Sequence, residues 1–437
     1  MLKSRRVSRR NFLRGMAGIA GAGALGTWTP RPARAQGRVN VVWWRSLSGR
    51  TGDAYDEVAK RFNESQNRVT VQVEFQGDYG ALRDKFAAAV VAGGSALPDL
   101  VMLADVIFPA FARNNILEPL DDLAKGSAGV DLKDYFGVLQ RGVVGSKLYQ
   151  FPLGVSTPIL YYNQEAVRAA GLNGPPKTWD DLFNVYLPKL TKKEGGKTSM
   201  YGFAFLAFVD WWWQQSYMWM NGGGISDDKW NVYFDSPQVL DFLTRFQKAF
   251  QAGQAYIPTK AEGSPVAYFG SGKAAIMIES TGVIGRLAEV VGNRFTAAVS
   301  YLPEGPKGRM VPTGGNGISI VAGRSPEKRQ AAWELIRFSQ QPQQVVRVSE
   351  MTGYLPYTKA AGAAMADLLA KEPNRKVALD QMAWSRPQSS IQTVPRAVDV
   401  YFDALQQVLQ GGGDPKKLMA EVQKQVQTIL VEDGYKK

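Results

Sequence analysis

Val69, Val71, Val73 and Phe75 are apolar, and the residues between them, Thr70, Gln72 and Glu74, are polar. Strict alternation of this kind predicts a strand with one buried face. Upstream, Val39 to Trp44 reads as a buried strand, and Ala54 to Ser65 as a helix with Val58 and Phe62 on one face. Downstream, Leu82, Phe86 and Val90 recur at helical spacing, followed after Gly93-Gly94 and Pro98 by the short apolar strand Leu100 to Leu103. Strands and helices in alternation predict an α/β fold built on a parallel, doubly wound sheet. Ligands of such sheets sit outside the carboxyl ends of the strands, so the loops that follow strands are where function is expected.

From Thr191 the chain changes character, with a Lys- and Gly-containing loop, a tryptophan-rich segment from Asp210 to Trp219, and a long helix from Ser236 to Gln251. No internal repeat is visible, and Gly411-Gly412-Gly413 reads as a helix stop and turn.

The first residues alter how the rest is weighed. Ser8-Arg9-Arg10-Asn11-Phe12-Leu13 sets adjacent arginines before a weakly apolar stretch from Gly15 to Trp28, the layout of a twin-arginine export signal. The stretch is too short for a bilayer span, which takes roughly 20 residues. Ala33-Arg34-Ala35 has the small residues a signal peptidase accepts, so Gln36 is expected to begin a mature periplasmic or extracytoplasmic chain. The formal charge of +13 includes eight cations and no anions before Gln36, leaving +5 for the mature part. With no arginine-rich stripe after Gln36, a nucleic-acid partner is not expected. The roughly 400 remaining residues exceed what one core usually serves, so two lobes are expected.

The chain has no cysteine and no histidine, which removes thiol nucleophiles, disulfides, imidazole bases and the usual zinc and copper ligands. No metal or other cofactor is expected. Ser-Lys pairs and paired carboxylates remain conceivable catalysts, but no stretch resembles their motifs.

Several phrases resemble the extracellular solute-binding proteins that serve sugar and glycerol-phosphate ABC importers. Ser156-Thr157-Pro158-Ile159-Leu160-Tyr161-Tyr162-Asn163 is similar to that family's crossing segment between lobes, and Pro175-Pro176-Lys177-Thr178-Trp179-Asp180-Asp181-Leu182 to the helix start after it. Gly270-Ser271-Gly272-Lys273-Ala274-Ala275-Ile276-Met277 looks like the return crossing, and Thr352-Gly353-Tyr354-Leu355-Pro356 like a late ligand-side loop. The resemblance implies a two-lobed periplasmic-binding-protein fold with a discontinuous chain in each lobe and a central ligand cleft. The expected division is a leader over residues 1–35, an N-terminal lobe of 36–150 plus 282–340, and a C-terminal lobe of 151–281 plus 341–437.

Within the family the glycerol-3-phosphate and glycerophosphodiester branch is most similar, and that likeness implies contacts. Tyr79 in Gly77-Asp78-Tyr79 corresponds to a ligand contact, with an aromatic at a helix start as the alternative. Asp105 corresponds to an acidic contact, where a carboxylate accepts from vicinal hydroxyls; a helix cap is its rival. Ser156 and Ser280 correspond to hydroxyl contacts and Gly315 to a backbone contact, each of which also suits a turn. Tyr354 sits on a Gly-to-Pro loop suited to reaching a ligand. The branch's C-terminal arginine for the phosphate has no counterpart in Pro387 to Thr393, but Arg386 and Arg396 flank that stretch. Phosphate and neutral saccharide or polyol ligands therefore both stay open. Trp44 and Trp212 are the tryptophans chosen for stacking on a sugar, against the alternative that large aromatics are core.

The resulting expectation is a monomeric, non-enzymatic substrate-binding component that closes on a sugar, glycerol-3-phosphate or glycerophosphodiester and presents it to membrane permease subunits. The alternative is a secreted carbohydrate-active enzyme using carboxylates such as Asp105 and Glu279. A surface adhesion or scaffold protein is a third reading.

Overall fold

The computed structural model describes residues 38–205, 211–259, 261–262 and 264–436. The leader expected over residues 1–35 lies outside the described residues, as does Asp210. Followed along the chain, β1 (Val39–Arg45), α1 (Gly49–Ser65), β2 (Val69–Phe75), α2 (Tyr79–Ala92) and β3 (Leu100–Ala104) realise the opening alternation. Next come β4 (Phe151–Ser156), β5 (Pro158–Asn163), β6 (Lys197–Ala204), α3 (Gln214–Met220), α4 (Pro237–Gln251), β7 (Ala255–Tyr256) and β8 (Ala274–Ser280). They are followed by α5 (Ile284–Val291), β9 (Ala297–Ser300), β10 (Val311–Pro312), β11 (Gly314–Ile320), α6 (Pro326–Ser339) and α7 (Pro342–Thr352). The chain ends with α8 (Pro373–Asp380), β12 (Ser385–Arg386), α9 (Pro395–Leu409) and α10 (Pro415–Glu432), the last two separated by the predicted glycine turn.

Two compact units divide the chain. The first holds residues up to Leu153, Asn316–Val348 and Tyr357–Ala361; the second holds Gly154–Gly315, Ser349–Pro356 and Gly362–Lys437. The segment 282–315, expected in the N-terminal lobe, belongs to the second unit instead. Its strand β9 pairs antiparallel with β5, and α5 buries Ile284, Leu287 and Val291 in a cluster with Ile159 and Tyr161. The return comes at Asn316, partway along β11, and the last main exchange at Ser349 rather than at 341.

In the first unit the strand order is β2-β1-β3-β11-β4. β1 runs parallel to β2 and β3, but β11 is antiparallel to β3. The sheet is therefore mixed, because β11 arrives from the second unit and not through a crossover helix. Pleating sends neighbours to opposite faces. Trp43 meets Tyr55 of α1 edge-on at 6.4 Å, while Trp44 packs with Leu82 and Phe86 of α2.

β2 is the outer strand, and two carboxamides close its free edge. Asn63 donates from Nδ2 to the Val71 carbonyl (2.9 Å) and accepts from the Val71 N–H at Oδ1 (2.8 Å). Gln66 treats Val69 in the same way, at 2.8 Å for both bonds. Side-chain amides thus satisfy backbone groups that would otherwise invite another strand.

The second unit's sheet has the order β7-β6-β8-β5-β9. β6 is parallel to β7 and β8, and β5 is antiparallel to β8 and β9. Its core is aromatic: Phe205, Trp213, Phe242 and Phe246 meet mostly edge to face, with centroids 4.9–6.5 Å apart. Rings in such arrangements set positive edges against negative faces, which fixes geometry as well as burying area. Among the described residues no helix is long and apolar enough to cross a membrane.

Candidate functional site

In the first unit, the loops after β2 and β3 carry two of the expected contacts. Asp78 caps α2 by accepting from Ala81 N–H at 2.8 Å, which fixes Tyr79 at the first helical position. The Tyr79 hydroxyl accepts from Asn316 Nδ2 at 2.9 Å, and the Tyr55 hydroxyl donates to Asn316 Oδ1 at 3.0 Å. Asn316 is buried and is held from both ends, so it orients the Tyr79 hydroxyl. Asp105 follows β3 directly. Nε and Nη2 of Arg141 converge on its Oδ2 at 3.0 and 2.6 Å, with the two side chains only 10% and 8% exposed. A carboxylate held this way is fixed in place as a hydrogen-bond acceptor.

Trp44 is not grouped with these residues. Its indole N–H donates at 2.8 Å to Glu74, the residue beside it on β2, and its ring lies against the α2 cluster. The sheet's pleat commits it to packing.

In the second unit a compact group forms around Thr313. The Trp212 indole donates to the Thr313 carbonyl at 3.2 Å, and the Thr313 N–H donates to the Arg386 carbonyl at 2.9 Å. β10 and β12 pair in parallel here, Val311 with Ser385 and Pro312 with Arg386. The Trp212 ring edge lies where a Cβ on Gly314 would stand, 2.6 Å from Cε2, so only glycine admits it. Gly315 has φ +132° and faces the Gly154 carbonyl so closely that a Cβ would sit 2.0 Å from it. This conformation and approach require glycine. Trp212, at 8% exposure, also belongs to the aromatic core. Trp211 and Trp213 are more deeply buried, as consecutive rings cannot all face one way.

The Arg386 guanidinium lies 3.9 Å above the centre of the Trp219 ring. Its nitrogens make no hydrogen bond or ion pair with any described residue, and partial burial moves its pKa down from the usual arginine value. Arg396 differs. It donates to Asp433 at 2.9 Å and to Glu432 at 2.8 Å, tying α9 to the end of α10. It is therefore neutralised within the fold.

Ser280 ends β8. Its hydroxyl accepts from Gly282 N–H at 3.1 Å, and its carbonyl accepts from the Tyr161 hydroxyl at 2.6 Å. Tyr354 is nearly buried, and its ring packs on Gly282, so these two expected contacts are neighbours. Ser156 is buried at the end of β4. Glu279, beside Ser280, accepts from the Ser280 N–H at 2.7 Å. Burial pushes its carboxyl above the usual carboxylate range, opposed by that N–H and by Arg286.

Sequence reading missed Asn316, Arg141 and Thr313 and passed over Trp219. The run Thr313-Gly314-Gly315-Asn316-Gly317 held the available signal, since three glycines within a strand mark close approach of another group. Nothing in sequence links Arg141 to Asp105 or Trp219 to Arg386.

Two α/β units, each assembled from separated segments and each built on one mixed sheet with ligand-type side chains in the loops, define the solute-binding class of fold. The profile of the family described as "Bacterial extracellular solute-binding protein" matches residues 57–378. The chain belongs to that family, and it is the extracytoplasmic substrate-binding component of an ABC importer.

The sn-glycerol-3-phosphate-binding periplasmic protein UgpB of Brucella abortus is 26% identical over 411 residues, covering 88% of this chain and 91% of that protein. UgpB of Escherichia coli is 26% identical over 379 residues, covering 83% and 84%. Among solved structures, UgpB from Mycobacterium tuberculosis in complex with glycerophosphocholine superposes with a TM-score of 0.81 at 29% identity, covering 91% of this chain and 99% of that one. The GacH receptor of Streptomyces glaucescens shares the fold, with a TM-score of 0.79 at 20% identity.

Proposed function

We propose that the protein captures a small glycerol phosphodiester, with glycerophosphocholine as the probe of choice, by closure of its two units around the solute. The observation that carries this reading is Arg386. An arginine stacked on tryptophan, partly desolvated and without an anionic partner among the described residues, is a preformed receptor for an anionic oxygen. In this reading the Trp219 ring fixes the guanidinium plane, so its N–H edge meets the phosphate. Tyr79, Asp105, Ser156, Ser280, Gly315 and Tyr354 supply hydroxyl, carboxylate and backbone contacts to the glycerol part. Trp212 is the apolar wall beside them.

The neighbour solved with glycerophosphocholine supports a phosphodiester, and the relatives named for glycerol-3-phosphate, a monoester, support a glycerol-phosphate ligand more broadly. Export by the twin-arginine route, a monomeric state, the absence of catalysis and delivery of the closed form to permease subunits complete the proposal. A thermal-shift panel of glycerophosphocholine, glycerol-3-phosphate and maltose tests it. A true ligand at about a hundred times its dissociation constant stabilises the protein by roughly 2.7 kcal/mol, a clear rise in Tm. A panel in which maltose shifts the melting and both phosphate compounds leave it unchanged contradicts the phosphodiester assignment.

A further inference from the structure

Ser280 and Tyr354 lie 74 positions apart by numbering, yet the structure joins them through one residue that has no side chain. The Gly282 N–H is held by the Ser280 hydroxyl at 3.1 Å. A Cβ on Gly282 would come within 2.9 Å of Tyr354 Cε1 and 3.2 Å of its Cδ1. Gly282 does not have a positive φ, so its backbone conformation would accept alanine; the Tyr354 ring, the nearest group, excludes it, with the Ser280 hydroxyl also 3.2 Å from the added carbon. We propose that Gly282 is a positioning residue, the seat on which the Tyr354 ring rests, and that it makes Ser280 and Tyr354 a single ligand-contacting element.

Both sides of this seat are fixed from behind. The Tyr161 hydroxyl donates to the Ser280 carbonyl at 2.6 Å, and the Thr281 N–H donates to the Thr157 carbonyl at 3.0 Å, so the turn that carries Gly282 is anchored to the β5 region. On the other side, buried Arg375 of α8 donates to the Ser349 and Glu350 carbonyls at 2.6 and 2.8 Å, closing the C-terminal end of α7. The Gly353 N–H adds a bond to the Ser349 carbonyl at 2.8 Å, and the Tyr354 N–H is held by Thr352 Oγ1 at 3.0 Å. Gly285 repeats the close fit one turn further on, where a Cβ would stand 2.6 Å from the Thr352 carbonyl oxygen. The tyrosine therefore cannot retreat when a methyl group is added beneath it, and its ring must tilt away from the Ser280 hydroxyl.

The inference rests on the functional reading above, in which Tyr354 and Ser280 face the solute. It is tested by a double-mutant cycle of Gly282→Ala and Tyr354→Ala, with glycerophosphocholine affinity read by calorimetry and Tm read without ligand. The expected result is at least a tenfold loss of affinity for Gly282→Ala in the parent protein and less than a twofold further loss in the Tyr354→Ala background. A role limited to general stability would give additive losses, and additivity overturns the seat. So does a Gly282→Ala protein that binds like the parent.

If Gly282→Ala alone does not fold, recovery of folding in the double variant supports the seat, and no recovery overturns it. A Tyr354→Ala variant of unchanged affinity, or a parent that binds no glycerophosphocholine, removes the functional reading instead. The Tm cycle then still decides the seat: non-additive shifts support the packing, and additive shifts overturn it.

Discussion

Two arginines that look alike in sequence, ten positions apart, have opposite fates. Arg396 is consumed by Glu432 and Asp433, whereas Arg386 keeps its donors and rests on Trp219. Charge-assisted hydrogen bonds contribute about 1.5–3 kcal/mol each. Arg386→Ala is therefore expected to weaken glycerophosphocholine binding by about ten- to a hundredfold in a calorimetric titration. Arg396→Ala should lower Tm and leave the affinity unchanged; the reverse pattern would reassign the phosphate contact.

Glu279 gives a prediction in pH. Its carboxyl is raised above the usual range chiefly by burial, so the folded state keeps its proton to higher pH than the unfolded state does. The stability tied to that proton is present below the ordinary carboxylate pKa and is lost as pH rises through the raised folded value. Glu279→Gln cannot ionise and escapes the loss. Its Tm relative to the parent is expected to climb as pH rises through the range above about pH 4, the ordinary carboxylate value. A difference that stays flat across that range contradicts the assignment.

At the scale of elements, the exposed edge of β2 is a liability that Asn63 and Gln66 remove. Asn63→Ala leaves the Val71 N–H and carbonyl without their partner, and Val71 itself is buried. The expected cost is about 1–3 kcal/mol in urea unfolding. A change under about 0.5 kcal/mol would mean that water replaces the amide without penalty.

The elements also show what sequence could convey. The alternation of Val69, Val71, Val73 and Phe75 and the helical spacing of Leu82, Phe86 and Val90 are local patterns, and each forms the expected element. The antiparallel entry of β11 and the pairing of β9 with β5 depend on partners far away in the chain, and so the boundary expected at 282 falls at 316. Glycine and proline mark tight loops in the sequence, and at Gly315 the structure shows the close backbone approach that such a glycine signals. The surroundings of Trp44 depend on Glu74 of a neighbouring strand, a pairing that local sequence does not convey.

For the whole molecule, the proposed function comes down to one claim: a solute is held by residues drawn from both units, and binding draws those units together. On that proposal, a solute favours closure only by as much as it fits the closed form better than the open one. Small-angle scattering from the mature chain, with and without saturating glycerophosphocholine, tests this most directly. The account predicts a smaller radius of gyration in the saturated sample. An unchanged radius in a sample shown by calorimetry to be saturated would contradict it.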